Sequence, residues 1–191
     1  MDYKELFRKV VALISSPAKA WEEIVKNTEV EQRLLLPGFV YPMIGLCGLS
    51  EFIGAFIGRD FQPEVFQLAL TRCCGVAVSL FIGFFLASYL LKQINERWFD
   101  NHKSDGEIQL FVGYSLVVTF VLQIVSGLFS ILIIHWILQI YTLYVVFEGA
   151  RCMMKVPENK ITMYSIVATL VILLSPTLID FIFNKLSVTL N

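Results

Sequence analysis

Apolar residues gather along this chain into five runs, approximately 34–57, 69–94, 109–129, 131–150 and 161–184, separated by polar stretches. Each has the roughly 17–25 residues that a helix needs to cross the hydrocarbon core of a bilayer. The third and fourth runs are nearly continuous. Read as one helix they would make about 40 apolar residues, more than a single crossing uses. The chain is therefore expected to reverse within "SGLFS", residues 126–130, where Gly127 stands between two serines. Ser175-Pro176 predicts a kink near the middle of the last run. Pro37 and Pro42 lie near the start of the first, where lost backbone hydrogen bonds cost least.

A different pattern precedes the first run. In "DYKELFRKVVALISSPAKAWEEIVKN", Phe7, Val10, Val11 and Ile14 follow the spacing of one helix face, while Lys4, Arg8 and Lys9 cover much of the remainder. Ser16 reads as an N-cap with Pro17 at the first helical position. Trp21, Ile24 and Val25 then form the apolar stripe of a second short helix. The expected fold is all-α: a polytopic bundle of five transmembrane helices (34–191), preceded by two short amphipathic helices (1–33). Charged, amphipathic and next to a span, that pair is expected to lie in the cytoplasmic interface. Its sharper alternative use is a docking surface for a protein partner.

Composition supports the membrane class. Of 191 residues, 57% are hydrophobic and 16% charged, and the mean hydropathy is +0.70. A soluble domain carries about 25% charged residues and cannot hide this much apolar surface. A net charge of −1 gives no reason to expect nucleic acid. Residues 1–33 hold six basic and six acidic side chains, unlike a cleavable signal.

Charge placement sets the expected orientation. With the N-terminus inside, the cytoplasmic side receives Lys4, Arg8, Lys9, Lys19, Lys26 and Arg33, then Lys92, Arg97 and Lys103, then Arg151, Lys155 and Lys160. Only Arg59, Arg72 and Lys185 fall outside. The C-terminus is thus expected on the opposite side, with a bacterial inner membrane as the expected location.

Small residues repeat every four positions on two spans: Ser50, Gly54 and Gly58 on the first, and Gly75, Ser79, Gly83 and Ala87 on the second. Such stripes let helix backbones approach closely in lipid. The simplest expectation packs the two stripes together; a homodimer through either is the alternative.

Depth then sorts the polar residues. Glu51 sits about 9 Å inside the outer end of the first span, Arg72 about 5 Å inside the second, and His135 and Asp180 about 6 Å inside theirs. Ionisable groups at such depth are costly unless paired or hydrated. They are read either as a staple, with at least one carboxylate in salt-bridge reach of Arg72, or as a hydrated substrate or ion site. Glu148 and Arg151, spaced i, i+3 at the cytoplasmic end of the fourth span, read as a boundary pair.

Catalytic motifs are missing from the sequence. There is no H-E-x-x-H, no G-x-S-x-G and no phosphate-binding glycine loop. His102 and His135 are too few for an ordinary metal or haem site. Cys47, Cys73, Cys74 and Cys152 lack zinc-ligand spacing and read as small packing residues. The chain is expected to be no enzyme and to need no metal or cofactor.

Three stretches together resemble the Yip family, the Ypt/Rab-interacting membrane proteins, in its bacterial branch. These are "LISSPAKAWEEI" ahead of the spans, the Gly-Tyr element in "VGYSLVV" at 112–118, and "YTLYVVFEGARCMMKVPENKI". The last is similar to that family's aromatic-rich fourth span, which ends in glycine and a basic, polar loop. Val118-Thr119-Phe120 lacks the proline that members often carry after the Gly-Tyr element. The resemblance implies a five-span protein with a cytoplasmic N-terminus and, for bacterial members, no settled activity.

The expected function is a membrane scaffold or adaptor that touches lipid and recruits protein partners through the N-terminal helices. The alternative is a small transporter, channel or lipid-handling protein built on Glu51, Arg72, His135 and Asp180.

Overall fold

The computed structural model describes residues 3–129 and 138–189, and every element among them is helical. Among the described residues nine α-helices are distinguished: α1 Tyr3–Ser15, α2 Pro17–Lys26, α3 Thr28–Leu35, α4 Tyr41–Gly54, α5 Pro63–Trp98, α6 Asp105–Ser115, α7 Val117–Phe129, α8 Tyr141–Cys152 and α9 Glu158–Thr189. A π-helical turn, Leu36–Val40, joins α3 to α4 without a break. Pro37 sits inside that turn, a local widening that absorbs the backbone bond proline cannot make. The helix that carries the first apolar run therefore begins earlier than residue 34, running from Thr28 to Gly54.

Among the described residues, four helical stretches are long and apolar enough to cross a membrane: Thr28–Gly54, Pro63–Trp98, Asp105–Phe129 and Glu158–Leu186. The third is interrupted at Leu116, between α6 and α7, although no proline is there. α6 starts with a capping box: the Ser104 hydroxyl accepts from the Glu107 backbone N–H at 3.2 Å, and the Glu107 carboxylate accepts from the Ser104 N–H at 3.0 Å. Ser16 does occupy the cap position of α2 with Pro17 following, but its side chain makes no capping hydrogen bond.

The expected reversal at 126–130 is corrected in part. Residues 126–129 continue α7, and residue 130 lies outside the described residues. Gly127 is a helix-crossing residue instead. A Cβ on Gly127 would lie 2.7 Å from Ser50 Oγ, and one on Gly54 would collide with the Gly127 carbonyl. The small stripe of the first span thus packs on α7.

The stripe of α5 packs on α9. A Cβ at Gly75 would come 2.9 Å from Phe183 Cε1, and one at Gly83 would come 2.8 Å from Pro176 Cγ. The expected stripe-to-stripe pairing of the first two spans is therefore replaced by two separate crossings. α4 still meets α5, but through Gly48 against Cys73 and Ala77. Gly58 is outside α4 altogether, in a turn with φ +73° and open space around it. Pro176 lies within a continuous α9, seated where Gly83 leaves room.

The N-terminal helices dock onto the bundle. Leu6, Val10 and Leu13 of α1 and Trp21 and Ile24 of α2 are buried, Trp21 completely. The Trp21 indole packs against Phe111 and Tyr114 of α6 and against Gly149 of α8. Gly149 lies inside α8 rather than ending it, and its missing Cβ makes room for the indole. Of the expected anchor residues, Val10 and Trp21 are buried and Ile14 is half-buried against the core, whereas Phe7 is 70% exposed and Val11 45%. The buried face of α1 is thus one step round the helix from the expected one.

Candidate functional site

The end of the bundle reached by Gly54, Pro63 and Phe129 differs in character from the aromatic core around Trp21. Here α4, α5, α7 and α9 part around a cavity of about 460 Å³. Glu51 comes from α4, Arg72 and Ser79 from α5, Gln123 and Thr119 from α7, and Asp180 and Asn184 from α9. The two tight crossings hold the cavity open, because α4 is locked to α7 by Gly54 and Gly127, and α5 to α9 by Gly75 and Gly83. Several wall residues, Arg72, Thr177 and Asn184 among them, are exposed, so the cavity opens to the surface.

Each carboxylate is held by neutral donors. Gln123 Nε2 donates to Glu51 Oε1 at 2.9 Å. Asn184 Nδ2 donates to Asp180 Oδ2 at 3.0 Å, and the Ser79 hydroxyl reaches Asp180 Oδ1 at 3.5 Å. The expected ion pair with Arg72 is not formed: among the described residues no carboxylate lies within 4.0 Å of its guanidinium. Both signs of charge therefore line one cavity without an ion pair between them. His135, the fourth expected member, lies outside the described residues.

Gln139 and Thr119 add neutral polarity, Gln139 Nε2 meeting Thr119 Oγ1 at 3.3 Å while Gln139 Oε1 has no partner. Neither carboxamide, Gln123 or Gln139, was among the expected site residues. A visible signal existed: Gln123 interrupts the apolar face of α7 at membrane depth, where an amide needs a partner.

The expected boundary pair is not joined. Glu148 is 7% exposed with Oε2 lacking a hydrogen-bond partner, Arg151 is exposed, and no ion pair within 4.0 Å connects them. The i, i+3 spacing permits contact, but α8 turns Glu148 inward and leaves Arg151 outside.

A second polar group went unseen. Lys9 Nζ of α1 lies 2.6 Å from Glu31 Oε2 of α3, and the Tyr114 hydroxyl of α6 donates to the same carboxylate. Tyr114 belongs to the Gly-Tyr element. Gly113 lets α6 approach Leu35, a Cβ there falling 2.8 Å from Leu35 Cδ1, and Tyr114 then reaches the buried acid. The pair tethers α1 to the bundle.

Among the described residues no three His, Cys, Asp or Glu side chains gather as metal ligands, and the four cysteines are free thiols. No curated protein and no solved structure matches this chain. The family model for the Yip1 domain matches residues 11–179, from the middle of α1 to the residue before Asp180 in α9. A chain with this helical bundle, its apolar crossings and a match over most of its length belongs to the Yip1-domain family of membrane proteins.

Proposed function

We propose that this protein crosses the membrane five times, with its N-terminus cytoplasmic, and holds a small polar ligand in a hydrated cavity within the outer half. The transporter or lipid-handling class is thereby preferred to the scaffold. The observation that carries this reading is the unneutralised mixture of Arg72 with Glu51 and Asp180 around about 460 Å³. A structural staple would bring the charges together, since an unpaired ion in a low dielectric is expensive. Walls that keep them apart suit water and a charged guest.

The fifth crossing is supported by the ends of the chain segments. Phe129 lies near the cavity end, since α7 packs on Gly54 through Gly127. Met154 lies at the other, where its carbonyl accepts from Asn101 Nδ2 at 2.9 Å beyond the end of α5. The chain must return between them. The positive-inside count then puts the cavity on the outer side.

Labelling tests the cavity. In a chain whose native cysteines are replaced, Thr177→Cys, exposed in the cavity wall, should react with a membrane-impermeant maleimide added outside, whereas Ser88→Cys, buried along α5, should not. An unreactive Thr177→Cys would remove the cavity from consideration.

The scaffold reading keeps one specific support. α1 still exposes Tyr3, Phe7 and Val11, an apolar strip flanked by Arg8 and outside the docked face. Such a strip suits the cytoplasmic membrane surface or a partner helix. Phe7→Ser with Val11→Ser should leave the fold intact and release any partner held there; partners unaffected by both changes would end this reading.

A further inference from the structure

The wall chemistry of the cavity narrows its guest. We propose that it takes a compact zwitterion with a primary ammonium and a phosphate, that is, a phosphoethanolamine group; the proposal rests on the reading of the cavity as a ligand site. Two carboxylates and one guanidinium give the wall a formal charge of −1, so a simple anion is disfavoured. Glu51 uses one oxygen on Gln123, and a carboxylate offers about four acceptor positions, so both acids keep capacity for a further donor. Arg72 meets no carboxylate within 4.0 Å among the described residues, which leaves its planar fork for a phosphate.

The ammonium must carry hydrogens. A quaternary ammonium is recognised by aromatic faces, and no aromatic ring lines the described wall, in a chain that is 14% aromatic. A primary ammonium instead offers three N–H donors, suited to acceptors spread over α4 and α9. The volume lies within the roughly 300–1,000 Å³ of ordinary ligand sites. Beside the opening, α9 exposes Leu178, Phe181 and Ile182, along which acyl chains of a lipid-borne group could lie.

The test is native mass spectrometry of the delipidated full chain, titrated with phosphatidylethanolamine, phosphatidylcholine and phosphatidylglycerol of identical acyl chains. The ethanolamine lipid should be retained about tenfold or more over the other two, the loss expected when charge-assisted hydrogen bonds are removed. Glu51→Gln should abolish that preference, and Arg72→Gln should weaken retention of all three lipids alike, while the variants remain monodisperse. Soluble phosphoethanolamine forms the second arm. Competition by it assigns the free headgroup as sufficient, and no competition with the lipid preference intact assigns the lipid-borne form. Equal retention of the choline lipid, preference for the glycerol lipid, or binding in neither arm overturns the proposal. If Thr177→Cys is nevertheless labelled from outside, the hydrated cavity survives that failure; if it is not labelled, the cavity reading itself has failed.

Discussion

The indole N–H of Trp21 donates to the carbonyl oxygen of Val145 at 2.9 Å, joining α2 to α8 across 124 residues of sequence. That bond and the void left by Gly149 make the N-terminal helices part of the folded bundle. Trp21→Ala should cost about 3–5 kcal/mol, as for a large buried aromatic, and Trp21→Phe about 1–2 kcal/mol. Gly149→Val overpacks the same spot and should cost about 1–3 kcal/mol alone, but little in a Trp21→Ala background. Thermal unfolding in detergent, followed by size-exclusion, measures all three. Additive losses in the double variant would contradict the contact.

Lys9 and Glu31 should behave as a buried pair, with side chains 20% and 12% exposed. Lys9→Met or Glu31→Leu alone should cost about 3 kcal/mol, because each leaves a buried charge behind. The double change should recover most of that loss. Tyr114→Phe, which removes a donor to the same carboxylate, should cost about 1–2 kcal/mol. The same melts read the outcome, and a double variant no better than the singles would show that the charges do not depend on each other.

Two glycines in one helix should respond in opposite ways. Gly54→Ala places a methyl group on the Gly127 carbonyl and should strongly destabilise the crossing of α4 with α7. Gly45→Ala meets nothing within 4 Å and should gain up to about 1 kcal/mol of helix propensity. Equal effects would mean that α4 and α7 do not approach as described.

Topology can be read by single cysteines in a cysteine-free chain. Asp60→Cys should react with an impermeant reagent added outside, and Lys103→Cys and Lys155→Cys only after permeabilisation. Lys155 decides the number of crossings: if residues 131–150 do not cross, it reacts from outside.

How much of this was legible in the sequence follows from what each pattern encodes. Apolar runs report on the bilayer, so the helical class and four long apolar helices could be read directly. The small-residue stripes say which helix face is thin but not what lies opposite, and so Gly54 met Gly127, and Gly83 met Pro176, instead of each other's stripe. Glu51, Arg72 and Asp180, grouped by expected depth, all line one cavity. It could not place their hydrogen-bond donors, because Gln123 is separated from Glu51 by 72 positions. Lys9 and Glu31 gave no signal, each being an ordinary charge in a charged segment. On α1 the apolar residues occupy more than half the circumference, and periodicity alone did not choose between Leu6–Val10–Leu13 and Phe7–Val11 as the docked face.

An experimental structure in a lipid nanodisc distinguishes a hydrated site in the outer half from a staple. Ordered water or ligand density is expected among Glu51, Arg72 and Asp180, with the guanidinium more than 4.0 Å from both carboxylates. A closed, dry contact with Arg72 paired to either acid would contradict it.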